Sequence, residues 1–208
     1  MSRTLAVICK EPVPGRVKTR LSPPLSPQEA ARVAAGALAD TFAAVTATPC
    51  DRRVAVLDGR PGPWLPPGVE VIAQRGRGLD ERLAATFEDL GTAVVIGMDT
   101  PQVTPAQLTH ALERTAADGA ALGLAADGGY WAIGLARPHR ALLDGVPMST
   151  AHTGARQLER LRAHGLAPAL LDELTDVDDI TSAAAVAAAA PHTRFARALH
   201  GLPVGAAA

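Results

Sequence analysis

Four cations, Lys10, Arg16, Lys18 and Arg20, fall in one short stretch that contains a single acid, Glu11. The stretch reads Lys10-Glu11-Pro12-Val13-Pro14-Gly15-Arg16-Val17-Lys18-Thr19-Arg20-Leu21 and follows a continuous apolar run, Leu5 to Cys9. Pro12 and Pro14 stiffen such a loop, and Gly15 lets it turn. Fixed donors and clustered positive charge are what a polyphosphate requires. The spacing is not that of a Walker loop, because G-x-x-x-x-G-K-[ST] does not occur. The other reading of the same residues is a solvated basic surface loop.

Three further segments could carry chemistry. In Gly97-Met98-Asp99-Thr100-Pro101, a carboxylate follows a hydrophobic run. Asp99 there can hold Mg²⁺ while substrate phosphates fill the other positions, or it can simply close a turn. In Asp127-Gly128-Gly129-Tyr130-Trp131, two glycines let backbone approach a ligand, and the two aromatics can offer a flat face. The bland alternative is an Asp-Gly hairpin turn. In Thr175-Asp176-Val177-Asp178-Asp179, Asp176 and Asp178 point the same way if the segment is extended, and either could join Asp99 on a metal. Asp179 is better placed to cap a following helix.

These segments need elements to position them. Apolar runs of strand length alternate with helical patterns. Strands are expected at Leu5 to Cys9, Arg53 to Leu57, Val69 to Ala73, Ala93 to Met98, Ala120 to Ala126 and Tyr130 to Leu135, with a short one at Leu166 to Leu171. Ser26-Pro27-Gln28-Glu29 is a capping box with proline at the first helical position, opening a helix to about Thr46. Further helices are expected over Leu79 to Leu90, Thr104 to Asp118, His152 to His164, Thr181 to Ala190 and Arg194 to Leu199. This alternation predicts a three-layer α/β/α sandwich around a mostly parallel, mixed sheet. Ligands in such folds sit beyond the carboxyl ends of the strands, where the cationic loop and Asp99 fall.

Composition narrows the function classes. The 208 residues suffice for one full-sized domain, and no internal repeat or linker divides them. Twenty Lys and Arg against 21 Asp and Glu argue against a nucleic-acid binder. The longest apolar tract, Ala183 to Ala190, is too short to span a membrane, and no leader is apparent. Cys9 and Cys50 lack metal or redox spacing and read as reduced thiols of a cytoplasmic protein. There is no G-x-S-x-G elbow, no H-E-x-x-H pair, and Gly76-Arg77-Gly78 lacks the dinucleotide-binding continuation. Alanine fills 43 positions and aromatics only six, so Leu, Val, Ile and Ala must build the core.

Taken together, K-x-P-x-P-G-x-V-K-T-R-L, G-x-D-x-P, D-G-G-Y-x-x-I-G-L and D-V-D resemble the bacterial glycosyltransferase-like "transferase 1" family, often noted beside radical-SAM and selenoprotein genes. That family is similar in fold to the GT-A nucleotide-diphosphosugar transferases. The first segment is also similar to that of phospholactate guanylyltransferase. Family members commonly carry Trp-Ser-Thr where this chain has Met148-Ser149-Thr150. The resemblance implies that Lys10, Gly15, Arg16, Lys18 and Arg20 meet nucleotide phosphates. It implies Mg²⁺ (or Mn²⁺) on Asp99 with Asp178 or Asp176, and makes Lys18 and Asp99 the catalytic pair. Asp127, Gly128, Gly129, Tyr130, Ser149 and Thr150 would line the acceptor or sugar pocket. The expected activity is nucleotidyl transfer from an NTP to a small phosphorylated or anionic acceptor. Glycosyl transfer from a nucleotide-sugar and non-catalytic nucleotide binding are the alternatives.

Overall fold

The computed structural model describes residues 3–202. Seven strands form one sheet in the order β3-β2-β1-β4-β6-β5-β7. The strands are β1 (Thr4–Lys10), β2 (Arg52–Asp58), β3 (Glu70–Ala73), β4 (Ala93–Ile96), β5 (Ala120–Ala125), β6 (Tyr130–Leu135) and β7 (Ala169–Leu174). The helices are α1 (Pro27–Ala47), α2 (Leu79–Leu90), α3 (Pro105–Asp118), α4 (Thr153–Ala163), α5 (Ile180–Ala189) and α6 (Arg194–His200). β1 runs parallel to β2 and β4, β3 parallel to β2, and β7 parallel to β5. Only β6 runs against its neighbours, β4 and β5. The sheet is therefore mixed and mostly parallel, as the alternating pattern predicts.

Side-chain alternation along the central strands builds two cores. Leu5, Val7 and Cys9 of β1 face one side, where they join Leu38, Phe42 and Val45 of α1 and Leu108 and Leu112 of α3. Ala6 faces the other side with Val54, Val56 and Val95, against Leu83 and Phe87 of α2 and Leu161 of α4. Residues i and i+1 of a strand necessarily point to opposite faces, so a strand covered by helices on both sides is apolar throughout. A third cluster joins Val33 and Ala37 of α1 to Val186 of α5 and Phe195 of α6. Burial raises the Cys9 thiol to about 12, so it behaves as a small apolar residue. Cys9 and Cys50 are both free.

Local chemistry sets the helix starts. Ser26 and Glu29 form the expected capping box with Pro27 at the first position. Thr104 and Gln107 do the same for α3. Asp179 caps α5, accepting from the Ser182 amide. The last strand begins three residues later than its apolar run suggests, at Ala169 rather than Leu166. α4 ends through Gly165 at φ 77°, Leu166 bonds back to Leu161, and Pro168 has no N–H to give a ladder.

Trp131 does not present the expected flat face to a ligand. Its ring is buried, and Nε1 donates to the Asp172 carbonyl of β7 at 3.0 Å. The indole lies over Gly123 of β5, where an added Cβ would sit 2.5 Å from the ring. Gly123→Ala is therefore expected to destabilise the fold by about 1–3 kcal/mol through overpacking. Urea unfolding checks this, and an unchanged midpoint would contradict the packing described.

Candidate functional site

At the carboxyl ends of β1 and β4 the chain opens a cleft of about 590 Å³. Lys10 lines it from the last position of β1, and Arg16, Lys18 and Arg20 from the loop that follows. Asp99 lines it from the turn after β4, and Asp176 and Asp178 from the segment between β7 and α5. Tyr130 and Ser149 complete the wall. Residues distant in sequence meet here because parallel strands all release their carboxyl-terminal loops at one sheet edge.

Lys18 is the junction of these segments. Its Nζ lies 2.7 Å from Asp99 Oδ1, and it also donates to the carbonyl of Val177. The Lys18 side chain is 7% exposed, whereas Asp99 is 43% exposed to the cleft. The Lys18 backbone is left-handed, at φ 48° and ψ 39°, and opens a short 3₁₀ turn over Thr19–Leu21. A non-glycine residue pays a conformational penalty in that region, so tertiary contacts must hold it there. The Val177 amide donates to the Asp99 carbonyl at 2.8 Å, which ties the two acidic segments together. Arg20 makes a second tie, 2.6 Å from Asp178. Both of these residues are largely exposed, so that pair contributes little to stability.

Asp176 and Asp178 both line the cleft, while Val177 between them is fully buried on the opposite side. This is the alternation expected of an extended segment. The Asp176 carboxyl is pushed up to about 7, first by burial, then by the nearby Asp99 and Asp127 carboxylates. Oδ1 of Asp176 and Oδ1 of Asp99 are both buried without a hydrogen-bond donor. The ammonium near Asp99 is an ion contact lacking the alignment of a hydrogen bond. Among the described residues no three His, Cys, Asp or Glu side chains converge as a complete metal-ligand set. Two carboxylates with unsatisfied oxygens do fit a hard cation that takes its other ligands from water and phosphate.

The remaining candidates are placed differently. Gly15, at φ 76°, makes the turn from Val13 to Arg16 and does not line the cleft. Asp127, Gly128, Gly129 and Thr150 also lie outside its lining. Asp127 accepts from the Gly129 amide at 2.8 Å, closing the β5–β6 hairpin turn. That turn packs on the start of α4: the Gly154 amide donates to the Gly128 carbonyl at 2.8 Å, and a Cβ on Gly128 would overlap the Ala151 carbonyl. Thr150 bonds within its own turn, to Thr153 and His152. Ser149 faces the cleft with a left-handed backbone, φ 58°. Tyr130 is half-buried, its hydroxyl 3.4 Å from Gln157 Oε1, and desolvation of that end pushes its phenol up.

Gln74 and Arg77, from the β3–α2 connection, and Arg82, from the first turn of α2, also line the cleft, and no motif in the sequence points to them. Gln74 Nε2 donates to the carbonyls of Cys9 at 2.7 Å and Val56 at 3.0 Å, anchoring the ends of β1 and β2. Arg82 donates to Gln74 Oε1 and pairs with Asp58 at 3.3 Å. Gln74 directly follows β3, a position the sequence could have flagged; Arg77 and Arg82 carry no such signal.

The raised Asp176 carboxyl fixes the sign of a pH effect. Its folded-state value, about 7, lies above the unfolded value near 3.9, so the folded chain binds the extra proton. Stability from this group is full below about pH 4 and falls as pH rises toward 7. Without divalent metal, Asp176→Asn is expected to raise stability at pH 8, on the order of 2–4 kcal/mol at most, and to change it little at pH 4. Chemical denaturation at both pH values checks this, and equal effects would contradict it.

Known proteins share this architecture. A Desulfovibrio desulfuricans G20 protein, provisionally named a nucleotide-diphospho-sugar transferase, is 25% identical with a TM-score of 0.84, over 96% of this chain and 95% of that one. A nucleotidyl transferase from Methanothermobacter thermautotroptrophicus is 15% identical with a TM-score of 0.60, over 94% of this chain and 98% of that one. Rv0371c of Mycobacterium tuberculosis H37Rv, in complex with manganese, is 18% identical with a TM-score of 0.54, over 89% of this chain and 97% of that one. The fold is thus that of nucleotidyl and sugar transferases. No curated protein matches the chain in sequence. Residues 31–150 match a bacterial family, and the chain belongs to it: the family described as "Uncharacterized protein conserved in bacteria (DUF2064)".

Proposed function

We propose that the chain is a single-domain, divalent-metal-dependent transferase. It moves a nucleotidyl group from an NTP to a small phosphorylated or anionic acceptor. One observation carries this reading: a single cleft gathers the cations of residues 10–20 and the carboxylates Asp99, Asp176 and Asp178. The likeness of the Lys10–Leu21 segment to that of phospholactate guanylyltransferase favours the nucleotidyl branch.

In this reading Lys10, Arg16, Lys18 and Arg20 bind the phosphates, and Gly15 shapes the loop that presents them. Charge-assisted hydrogen bonds from fixed donors neutralise the α-phosphate region as the acceptor oxygen approaches in line. Asp99 with Asp176 or Asp178 would hold Mg²⁺ or Mn²⁺, which supplies Lewis-acid neutralisation of the departing pyrophosphate. The acceptor enters from the side of Tyr130 and Ser149. The Asp127-Gly128-Gly129 turn and Thr150 fix that wall through their contacts with α4. The acceptor's own anion attacks phosphorus, so the protein needs to supply only position and charge, not a nucleophile. The free Cys9 and Cys50 thiols suit a reducing compartment such as the cytoplasm.

Glycosyl transfer is the second reading, favoured by the name of the Desulfovibrio protein. The same carboxylates would then stabilise a departing nucleoside diphosphate. A matrix of NTPs and nucleotide-sugars with Mg²⁺ or Mn²⁺ and anionic acceptors separates the two. Stoichiometric pyrophosphate from an NTP is expected, and Lys18→Ala or Asp99→Asn should lower kcat about 10²-fold or more. Turnover of a nucleotide-sugar without pyrophosphate would overturn the nucleotidyl reading. Nucleotide-dependent thermal stabilisation with no turnover of either donor would instead indicate a binding protein.

A further inference from the structure

The most buried cation of the cleft is not offered to solvent. Lys18 Nζ sits against Asp99 Oδ1 and donates to the Val177 carbonyl, with 7% of its side chain exposed. The other unsatisfied carboxylate oxygen of the cleft belongs to Asp176, from the residue preceding Val177. The ammonium therefore already occupies the electrostatic position that a dication on Asp99 would need. An ammonium and a divalent ion on the same carboxylate repel strongly at such separations. Lysine suits an exchange, because its charge is carried on a flexible four-carbon stem.

Resting on the proposed reading of Asp99 as a metal ligand, we infer that Lys18 is the resident counter-ion of that site and gates it. A divalent ion binds tightly only when nucleotide phosphates give the Lys18 ammonium another partner, so metal and nucleotide load together. The left-handed backbone at Lys18 is held by this arrangement, since it aims the stem inward from the loop toward the acidic segment. Reciprocity follows: nucleotide tightens metal by the same factor as metal tightens nucleotide. The same logic makes Lys18 a positioning group before nucleotide arrives and a phosphate ligand afterwards.

The test titrates Mn²⁺ alone into the full chain and reads free Mn²⁺ by electron paramagnetic resonance. Parallel titrations add α,β-methylene analogues of the four NTPs. Wild type should bind Mn²⁺ weakly without nucleotide. Lys18→Met should tighten that nucleotide-free binding about tenfold or more. Adding Asp99→Asn to Lys18→Met should abolish the gain. Lys18→Gln, which removes the charge but keeps a donor for the Val177 carbonyl, serves as a second background if Lys18→Met does not fold. A folded Lys18 variant that binds Mn²⁺ no more tightly than wild type overturns the gate. If neither variant folds, equal Mn²⁺ affinity of wild type with and without the analogues overturns it, and tighter binding with an analogue that is lost in Asp99→Asn supports it. If Asp99→Asn leaves Mn²⁺ binding with analogue intact, the assignment of Asp99 itself is wrong, and that failure is distinct from failure of the gate.

Discussion

A buried ammonium needs compensation on every side, and at Lys18 that need joins three distant parts of the chain. The Asp99 carboxylate supplies charge from the end of β4, and the Val177 carbonyl supplies a lone pair from the segment before α5. The Lys18 backbone takes a left-handed conformation to bring its stem inward. Removing any one member leaves a polar group buried without a partner, which is costly. The cationic loop, the strand-end acid and the acidic segment are therefore a single unit. The sheet's parallel order gives that unit its location, because β1 and β4 are adjacent and release their loops at the same edge.

The charge separation along the chain acquires a physical meaning in this unit. Net charge is only −1, yet cations concentrate at residues 10–20 and acids at residues 172–179. In the folded chain the two runs touch directly, through Lys18 at Val177 and Arg20 at Asp178. Part of the positive charge is therefore already neutralised within the protein. Lys10 and Arg16 take no part in an ion pair among the described residues. With Arg77, which is also outside every ion pair among the described residues, they are the cleft cations left open to an anion.

Much of this was legible in the sequence, for identifiable reasons. The strands of the centre are continuous apolar runs, and Ser26-Pro27-Gln28-Glu29 and Thr104-Pro105 are strong helix starts. Asp99 and the cationic loop stand out because they follow such runs, and Asp176 and Asp178 because they alternate around Val177. Other features depend on three-dimensional neighbours. Trp131 beside two glycines reads as a ligand platform, but Gly123 on the adjacent strand makes room for it in the core. Gln74 and Arg82 join the cleft through carbonyls of β1 and β2 and through Asp58, contacts no local pattern encodes. Gly128 of the Asp127 turn leaves room for the chain entering α4, and the facing Ala151 lies more than twenty residues onward.

The central claim is that one cleft holds nucleotide phosphates on the residue 10–20 loop and a metal on Asp99. The most direct measurement is a crystal structure with Mn²⁺ and a non-hydrolysable NTP, with the ion located by anomalous scattering. The account predicts the ion bound to Asp99 and to Asp176 or Asp178, bridged to phosphates that contact Lys10, Arg16 and Lys18. A nucleotide seated away from this loop, or an ion with no contact to Asp99, would contradict it.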